Sequence, residues 1–398
     1  MMVSELTGKR DSMKYLIYFI IIAAFIDTFS QLPIMSPFAM TFNPSPAFAG
    51  MIVGLYSFSN MIGNILAGYW IDKRGAKRVL VSGLSLTGFI LVLYTFADSP
   101  LQLITVRFLH GLFGGFLVPA AFTVISNLGK SGKQGKKMAV SGAAVGCSAI
   151  IGPAFGAVIA SNYSINWVFL IIAATMITSA VLAFVFLPAG NMVNVKKESS
   201  HEKMLPLFKN PMLTASYLGA FSLMFAQGTL AYLLPLQVEA LQIEAMYSGI
   251  LLSTFGITAI LIFLLPINKI FDKYKHHNSM LSGMLIIAIA LVLLSSASSL
   301  GFMFICMVLY GTGFALLFPS INALIANHTT EKTRGKAFGL FYAFFSLGVV
   351  AGSTILGFLK VTFETGFLIA AAILFFTVCG MSIYSKKRNP QLLKSGSD

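Results

Sequence analysis

Long apolar runs separated by short polar breaks make up almost the whole chain. Taken from one break to the next, they predict twelve helices, over residues 14–36, 48–70, 79–97, 100–126, 138–160, 165–187, 212–236, 246–268, 279–298, 301–326, 337–360 and 365–385. Each run is near the roughly 20 apolar residues that an α-helix needs to cross a bilayer. Helix is the form expected, because a helix satisfies its backbone polar groups internally where no water is available. One long polar stretch, Asn191 to Asn210, interrupts the series. It divides the chain into a six-helix bundle over 1–190, a cytoplasmic linker over 191–211, and a second six-helix bundle over 212–398 that ends in a short tail.

The two halves repeat each other. Sliding the sequence on itself by 200 residues without gaps brings Asp72-Lys73 onto Asp272-Lys273 and Ser82-Gly83 onto Ser282-Gly283. It also matches Gly111 with Gly311, Pro119 with Pro319, Asn127 with Asn327, Gly135-Lys136 with Gly335-Lys336 and Gly152 with Gly352. Coincidences of apolar residues mean little in such a chain. Matches at Gly, Pro and Asp carry weight, because each meets a particular backbone or charge requirement. An even number of spans per half gives a parallel repeat.

Composition agrees: 57% of the 398 residues are hydrophobic and 10% charged, whereas soluble domains carry about 25% charged residues. A water-soluble enzyme is therefore excluded. The formal net charge of +14 raises the question of nucleic acid. Its distribution answers it. Apart from Arg107 and Lys360, all 27 Lys and Arg lie in the leader, the even-numbered loops, the central linker and the tail. Clusters on one side of the spans orient a membrane protein with both termini cytoplasmic and touch anionic lipid; they do not build a nucleic-acid-binding domain. The leader and the span that follows carry no cleavage pattern of a signal peptide. Cys147, Cys306 and Cys379 fall in apolar runs without paired spacing and are expected to be reduced packing residues.

Charge inside a span is costly and so points to function. Of thirteen Asp and Glu, Asp27 alone sits well within a span. It lies about 13 residues past Lys14, roughly 20 Å at 1.5 Å per residue, near mid-depth. Arg107 enters the fourth span from the other side. Burial favours the neutral form of a carboxyl and a nearby guanidinium its charged form, which suits a group that gains and loses a proton. Two roles stand open for Asp27: proton or cation binding, or a fixed ion pair with Arg107. His110, three residues from Arg107, is either a proton relay or a neutral interhelical hydrogen bond. Gln31 follows Asp27 by four residues, so both can face one cavity. Tyr56, Asn60 and Asn64 form a polar stripe on the second span. The 200-residue offset places Gln227 opposite Asp27 and Met307 opposite Arg107. The second half thus lacks both charges, which assigns proton coupling to the first half and leaves Gln227 and Tyr232, with Gln31, to the substrate cavity. No GxxxxGKS/T loop supports direct ATP drive, and no His or Cys spacing suits a metal. No cofactor is expected, the proton gradient being the energy source.

These residues resemble the major facilitator superfamily, in particular its drug:proton antiporter branch. Gly68-Tyr69-Trp70-Ile71-Asp72-Lys73-Arg74-Gly75-Ala76-Lys77-Arg78 is similar to the family's G-x-x-x-D-R/K-x-G-R-R/K loop. Arg107-Phe108-Leu109-His110-Gly111 matches its R-x-x-x-G motif, with His110 where glutamine is usual. Gly152-Pro153-Ala154-Phe155-Gly156-Ala157 resembles the antiporter motif G-P-x-x-G-G of span 5, with alanine last, and Asp27 with Pro33 and Pro37 resembles the acid and prolines of span 1. The resemblance implies an all-α major facilitator fold with two pseudo-symmetric six-helix bundles. It implies gating roles for Gly68, Asp72, Lys73, Gly75 and Arg78, and a leak-sealing role for Gly152, Pro153 and Gly156. The expected protein is a monomeric, non-enzymatic secondary transporter of a bacterial plasma membrane, exporting a small organic compound against protons. Export of one endogenous metabolite such as a metallophore, lipid flipping and proton-driven import are the alternative activities.

Overall fold

The computed structural model describes residues 2–43, 45–127, 134–187, 205–264 and 276–388. Among them the regular structure is helical and no strand occurs. The helices are α1 (Met2–Ser30), α2 (Met35–Phe42), α3 (Pro46–Arg74), α4 (Ala76–Leu93), α5 (Pro100–Gly114), α6 (Leu117–Asn127), α7 (Gln134–Asn162) and α8 (Ile165–Phe186). They continue with α9 (Leu205–Lys209), α10 (Pro211–Ala240), α11 (Met246–Leu264), α12 (His276–Ser295), α13 (Leu300–Asn327), α14 (Glu331–Phe358) and α15 (Phe363–Arg388). Among the described residues, 11 helical segments are long and apolar enough to span a membrane, and Met246–Ile262 is a shorter apolar one. Each of the twelve predicted spans falls on one of these. The linker residues 191–204, the loop after span 4 at 128–133 and the Asp272-Lys273 loop lie outside the described residues.

Two apolar runs that read as single spans are broken. The first helix stops at Ser30, and Gln31–Ile34 form a turn before α2. Pro33 has no N–H to give to Phe29, four residues back, and the Phe29 carbonyl accepts from the Leu32 N–H at 3.2 Å instead. The fourth span divides into α5 and α6 at Gly115-Phe116, where the Phe116 N–H bonds to Phe113 at 3.0 Å, three residues back. Gly111, Gly114 and Gly115 lower the helical propensity of this stretch.

The chain forms two compact units. The first comprises Met1–Lys196 with Leu234–Ser253 and Gly357–Leu359; the second comprises Lys197–Leu233, Thr254–Leu356 and Lys360–Asp398. In the first, α1 packs on α7, α3 on α5, and α4 on α8; in the second, α12 packs on both α13 and α15. Ile17, Ile20, Ile21, Leu80, Leu84, Phe169 and Ile172 are buried in the first unit, while Phe184, Val185, Phe186, Ile65 and Phe89 are exposed. Helices apolar on both their inner and outer faces suit a lipid solvent. Cys306 is buried as a packing residue, but Cys147 is exposed on α7; all three cysteines are free.

The sequence repeat reappears as repeated contacts, each inside its own unit. Gly111 of α5 lies so close to α3 that an added Cβ would strike Ser59 and the Tyr56 backbone. Gly311 of α13 likewise lies close to α11, where a Cβ would stand 2.6 Å from the Phe255 carbonyl and 2.8 Å from Thr258. The Tyr56 ring meets the His110 ring edge-on at 5.1 Å, and the Phe255 ring meets that of Tyr310 edge-on at 5.6 Å. Gly83 and Gly283 pack against Leu117 and Leu317 respectively. A shared 200-residue offset thus marks shared helix crossings.

Overpacking one of these crossings is expected to destabilise the protein. Gly311→Ala should cost about 1–3 kcal/mol and lower Tm in detergent. Gly68→Ala, inside α3 and with a Cβ that would meet nothing within 4 Å, should keep or raise Tm. Equal Tm values for the two variants would contradict the crossing.

Candidate functional site

Asp27 sits in the last turn of α1 and is fully buried. Gln31, the next residue along that face, lies just past the helix end, and its Nε2 donates to Asp27 Oδ1 at 2.8 Å. His110 on α5, also fully buried, places its Nε2 3.0 Å from Asp27 Oδ2. Both carboxyl oxygens are therefore occupied by protein groups. This is the condition under which a carboxylate tolerates burial, since an unpaired charge in an apolar interior costs far more than a paired one.

Arg107, three residues before His110 on α5, is 5% exposed. Its Nε donates to the Ile52 carbonyl of α3 at 3.1 Å, and its Nη1 donates to Gln31 Oε1. The same Nη1 stands 3.5 Å from the Tyr94 hydroxyl, and the guanidinium lies over the Tyr56 ring at 4.8 Å. No ion pair joins Arg107 to Asp27 within 4 Å. The fixed pair considered from sequence is thus replaced by a bridge in which one amide accepts from the base and donates to the acid. A planar guanidinium with forked donors suits two such fixed acceptors and an aromatic face at once.

Tyr56 and Tyr94 complete the cluster. The Tyr56 hydroxyl lies 3.1 Å from Thr28 Oγ1, one residue beyond Asp27. The Tyr94 hydroxyl lies 3.2 Å from His110 Nδ1, and its ring stacks on Phe169 at 4.3 Å. Farther along the same stripe, Asn64 Nδ2 donates to Asn60 Oδ1 at 2.8 Å, so those two amides pair within α3.

The span-5 residues hold the α1 end that carries Asp27. A Cβ at Gly156 would fall on the Ser30 carbonyl, and one at Gly152 would stand 2.7 Å from Phe29 Cβ. Two glycines one turn apart let α7 seat directly on the last turn of α1. Pro153, between them, leaves α7 without one backbone hydrogen bond. In the adjoining turn the Ser253 hydroxyl of α11 enters the ladder, accepting from the Ala154 N–H at 3.1 Å and donating to the Ile150 carbonyl at 2.5 Å. Gly249, one turn away, lets α11 approach Pro153.

The loop motif forms the joint between α3 and α4. Gly75 has φ +85°, a left-handed backbone value that favours glycine, and separates the two helices. Lys73 lies over Tyr69 at 5.8 Å and Arg74 over Trp70 at 5.7 Å, while Lys77 Nζ donates to the Leu187 carbonyl. Gly68, Asp72 and Arg78 lie on these same helices, away from the Asp27 cluster. In the second unit, Gln227 Oε1 accepts from Tyr310 at 3.4 Å, and its Nε2 has no partner. Tyr232 is buried farther along α10. The sequence equivalence of Asp27 with Gln227 and of His110 with Tyr310 therefore returns as two contacts at matching places, one charged and one neutral.

Of the candidate residues, the structure brings Asp27, Gln31, Arg107 and His110 into one cluster with Gly152 and Gly156 packed behind it. Sequence reasoning passed over Tyr94, Ser253 and Tyr310. Tyr94 ends an apolar run and carries no charge, so only spatial proximity reveals it. Tyr310 was within reach, since it aligns with His110 at the 200-residue offset. Among the described residues no group of three or more His, Cys, Asp or Glu is placed to hold a metal ion.

Bundled apolar helices with a charged cluster sealed inside one unit define a polytopic membrane transporter rather than an enzyme. The sequence profile of the Major Facilitator Superfamily matches residues 17–261 and 216–397. The chain belongs to that superfamily and is a secondary transporter. It is 27% identical over 341 residues to the multi-drug resistance efflux pump PmrA of Streptococcus pneumoniae, covering 82% of this chain and 85% of that one. It is 24% identical over 350 residues to the multidrug resistance protein MdtG of Escherichia coli, covering 85% of each. Among solved structures, the nucleoside transporter NupG superposes with a TM-score of 0.79 at 15% identity, over 93% of this chain and 99% of that one. A bacterial homologue of the human lysosomal transporter Spinster gives 0.74 at 14% identity, over 94% and 95%. These two share the fold.

Arg107→Lys tests the bridging geometry. A lysine ammonium cannot reach Ile52 and Gln31 in the forked arrangement and stack on Tyr56 as well. Transport by the purified variant in proteoliposomes should fall about tenfold or more, equivalent to ~1.4 kcal/mol. Wild-type transport by Arg107→Lys would mean that the site needs only a positive charge.

Proposed function

We propose that the protein is a proton-coupled exporter of a small organic compound, working by alternating access in a bacterial plasma membrane. Asp27 is the proton-binding carboxyl, and His110 shares the proton with it. Arg107 acts through Gln31 to hold the acid in its charged form when the proton leaves. The single observation that carries this reading is the fully buried Asp27 carboxyl, with one oxygen on a histidine and the other on an amide tied to a guanidinium. Such a carboxyl is satisfied when charged and also touches a side chain that can carry a proton. Intramembrane acids are rarely kept for packing alone. PmrA, by its name a multi-drug resistance efflux pump, supports the export direction, and it and MdtG, by its name a multidrug resistance protein, support a drug-like or amphiphilic cargo.

In this reading the first six spans, over 1–190, hold the proton site. The six spans over 212–398, joined to them by the linker, contribute Gln227 and Tyr232 to the substrate cavity. Gly68, Asp72, Lys73, Gly75 and Arg78 serve the inner gate, by resemblance to the family's loop motif. Gly152, Pro153 and Gly156 keep α7 seated on α1, so that no water file reaches Asp27. Both termini are cytoplasmic, as the side-biased Lys and Arg indicate, and the clustered charges rest on anionic lipid. The transporter works as a monomer, without a cofactor.

Asp27→Asn keeps the shape and removes the titration. With a compound that the wild-type protein exports from membrane vesicles, the variant should lose all dependence of export on an imposed pH gradient. Full gradient-driven export by Asp27→Asn would exclude this carboxyl as the coupling group.

A further inference from the structure

The proton site has one partner that the assignments above leave unused. The His110 ring is faced by Asp27 from α1, Tyr56 from α3, Tyr94 from the turn after α4, and Arg107 from its own helix. Its Nε2 meets Asp27 Oδ2 at 3.0 Å and its Nδ1 meets the Tyr94 hydroxyl at 3.2 Å. Tyr94 is 1% exposed, and its ring lies nearly parallel to Phe169, at 12° and 4.3 Å. A ring so clamped cannot swing away; only the hydroxyl hydrogen is free to turn.

We propose that Tyr94 is a positioning residue of the proton site, whose hydroxyl reverses its hydrogen bond to His110 whenever the Asp27–His110 pair gains or loses its proton. The inference rests on the proton-coupling reading of that pair. It follows from counting hydrogens on the groups present. When the pair is empty, the Asp27 carboxylate can only accept, so Nε2 carries the imidazole hydrogen and Nδ1 is bare. Tyr94 then donates its O–H to Nδ1, and its oxygen faces Arg107 Nη1 at 3.5 Å.

One proton added to the pair has two resting arrangements. In one the imidazole holds it and both ring nitrogens bear hydrogen. In the other the proton rests on Asp27 Oδ2, which donates to Nε2, and the ring's own hydrogen is on Nδ1. In both, Asp27 Oδ1 keeps accepting from Gln31 Nε2 at 2.8 Å, and the added proton stays on the 3.0 Å contact between Oδ2 and Nε2. Nδ1 therefore bears hydrogen in either case, and Tyr94 must accept. One proton enters, no bond to Tyr94 breaks except the hydrogen bond, and the hydroxyl keeps its own hydrogen while turning it away. The Tyr94–His110 bond is thus the point where the loaded state is sensed, whichever atom holds the proton. Arg107, aimed at the same oxygen, resists the loaded state and favours release.

The test uses the full-length protein in detergent and needs no transported compound. Infrared difference spectra between acidic and alkaline buffer, with ring-deuterated tyrosine for assignment, follow the carboxyl and tyrosine C–O bands together. The wild-type protein should show a tyrosine C–O shift with the same midpoint as the carboxyl band, and the shift should vanish in Asp27→Asn. Tyr94→Phe should lack the tyrosine signal and keep the Asp27-dependent titration. A wild-type carboxyl titration without a tyrosine shift, or a tyrosine shift that persists in Tyr94→Phe, would overturn the role of Tyr94 while leaving the proton site standing. No Asp27-dependent titration in the wild-type protein would overturn both. Should Tyr94→Phe not fold, Tyr56→Phe serves in its place: it should keep the wild-type tyrosine shift, and loss of the shift would assign it to Tyr56 and overturn the role of Tyr94.

Discussion

A carboxyl group with no access to water must find every one of its hydrogen bonds inside the protein, and the first unit is arranged around that requirement. Asp27 receives Gln31 on one oxygen and His110 on the other. Each of these is itself held: Gln31 by Arg107, and His110 by Tyr94. Arg107 is anchored in turn on the Ile52 carbonyl and the Tyr56 face. Removing any member leaves a buried polar atom without a partner, which is why such networks are sensitive throughout. The positions of α1, α3, α5 and the turn after α4 are tied together by this cluster.

Close packing supplies the rest. The break of α1 at Ser30 frees Gln31 to turn toward both Asp27 and Arg107, and Gly152 and Gly156 bring α7 onto that break. The crossing of α3 with α5 at Gly111 brings Tyr56 against His110. The second unit repeats the crossing at Gly311 but puts Tyr310 and Gln227 where the first has His110 and Asp27. One backbone scaffold thus carries a charged contact in one half and a neutral contact in the other. A repeat that keeps its glycines and changes its polar residues separates what the fold needs from what the chemistry needs.

Much of this was legible in the sequence because lipid narrows the choices. Span number, helical class, repeat offset and family follow from apolar runs, from Gly and Pro matches and from the loop and span motifs. Asp27, Arg107 and His110 stood out because charge and imidazole are rare inside spans. What sequence could not give was pairing. An acid in the first span and a base in the fourth suggested an ion pair, yet Gln31 stands between them, donating to the one and accepting from the other. Gln31 itself read as a cavity residue on spacing alone. Tyr94 and Ser253 are ordinary residues by composition, and their roles arise from helix crossings that no local pattern encodes. The breaks at Ser30 and Gly115 lie inside continuous apolar runs, where hydropathy is blind to them.

If Asp27 is the proton-binding carboxyl of an exporter working against protons, as proposed, substrate and proton compete for the protein. The most direct test of this competition is substrate-induced proton release, read with a pH indicator in weakly buffered detergent while a panel of small organic compounds is added to the purified protein. The account predicts that compounds transported by the wild-type protein release protons from it and release none from Asp27→Asn. Equal release from the two proteins would contradict it.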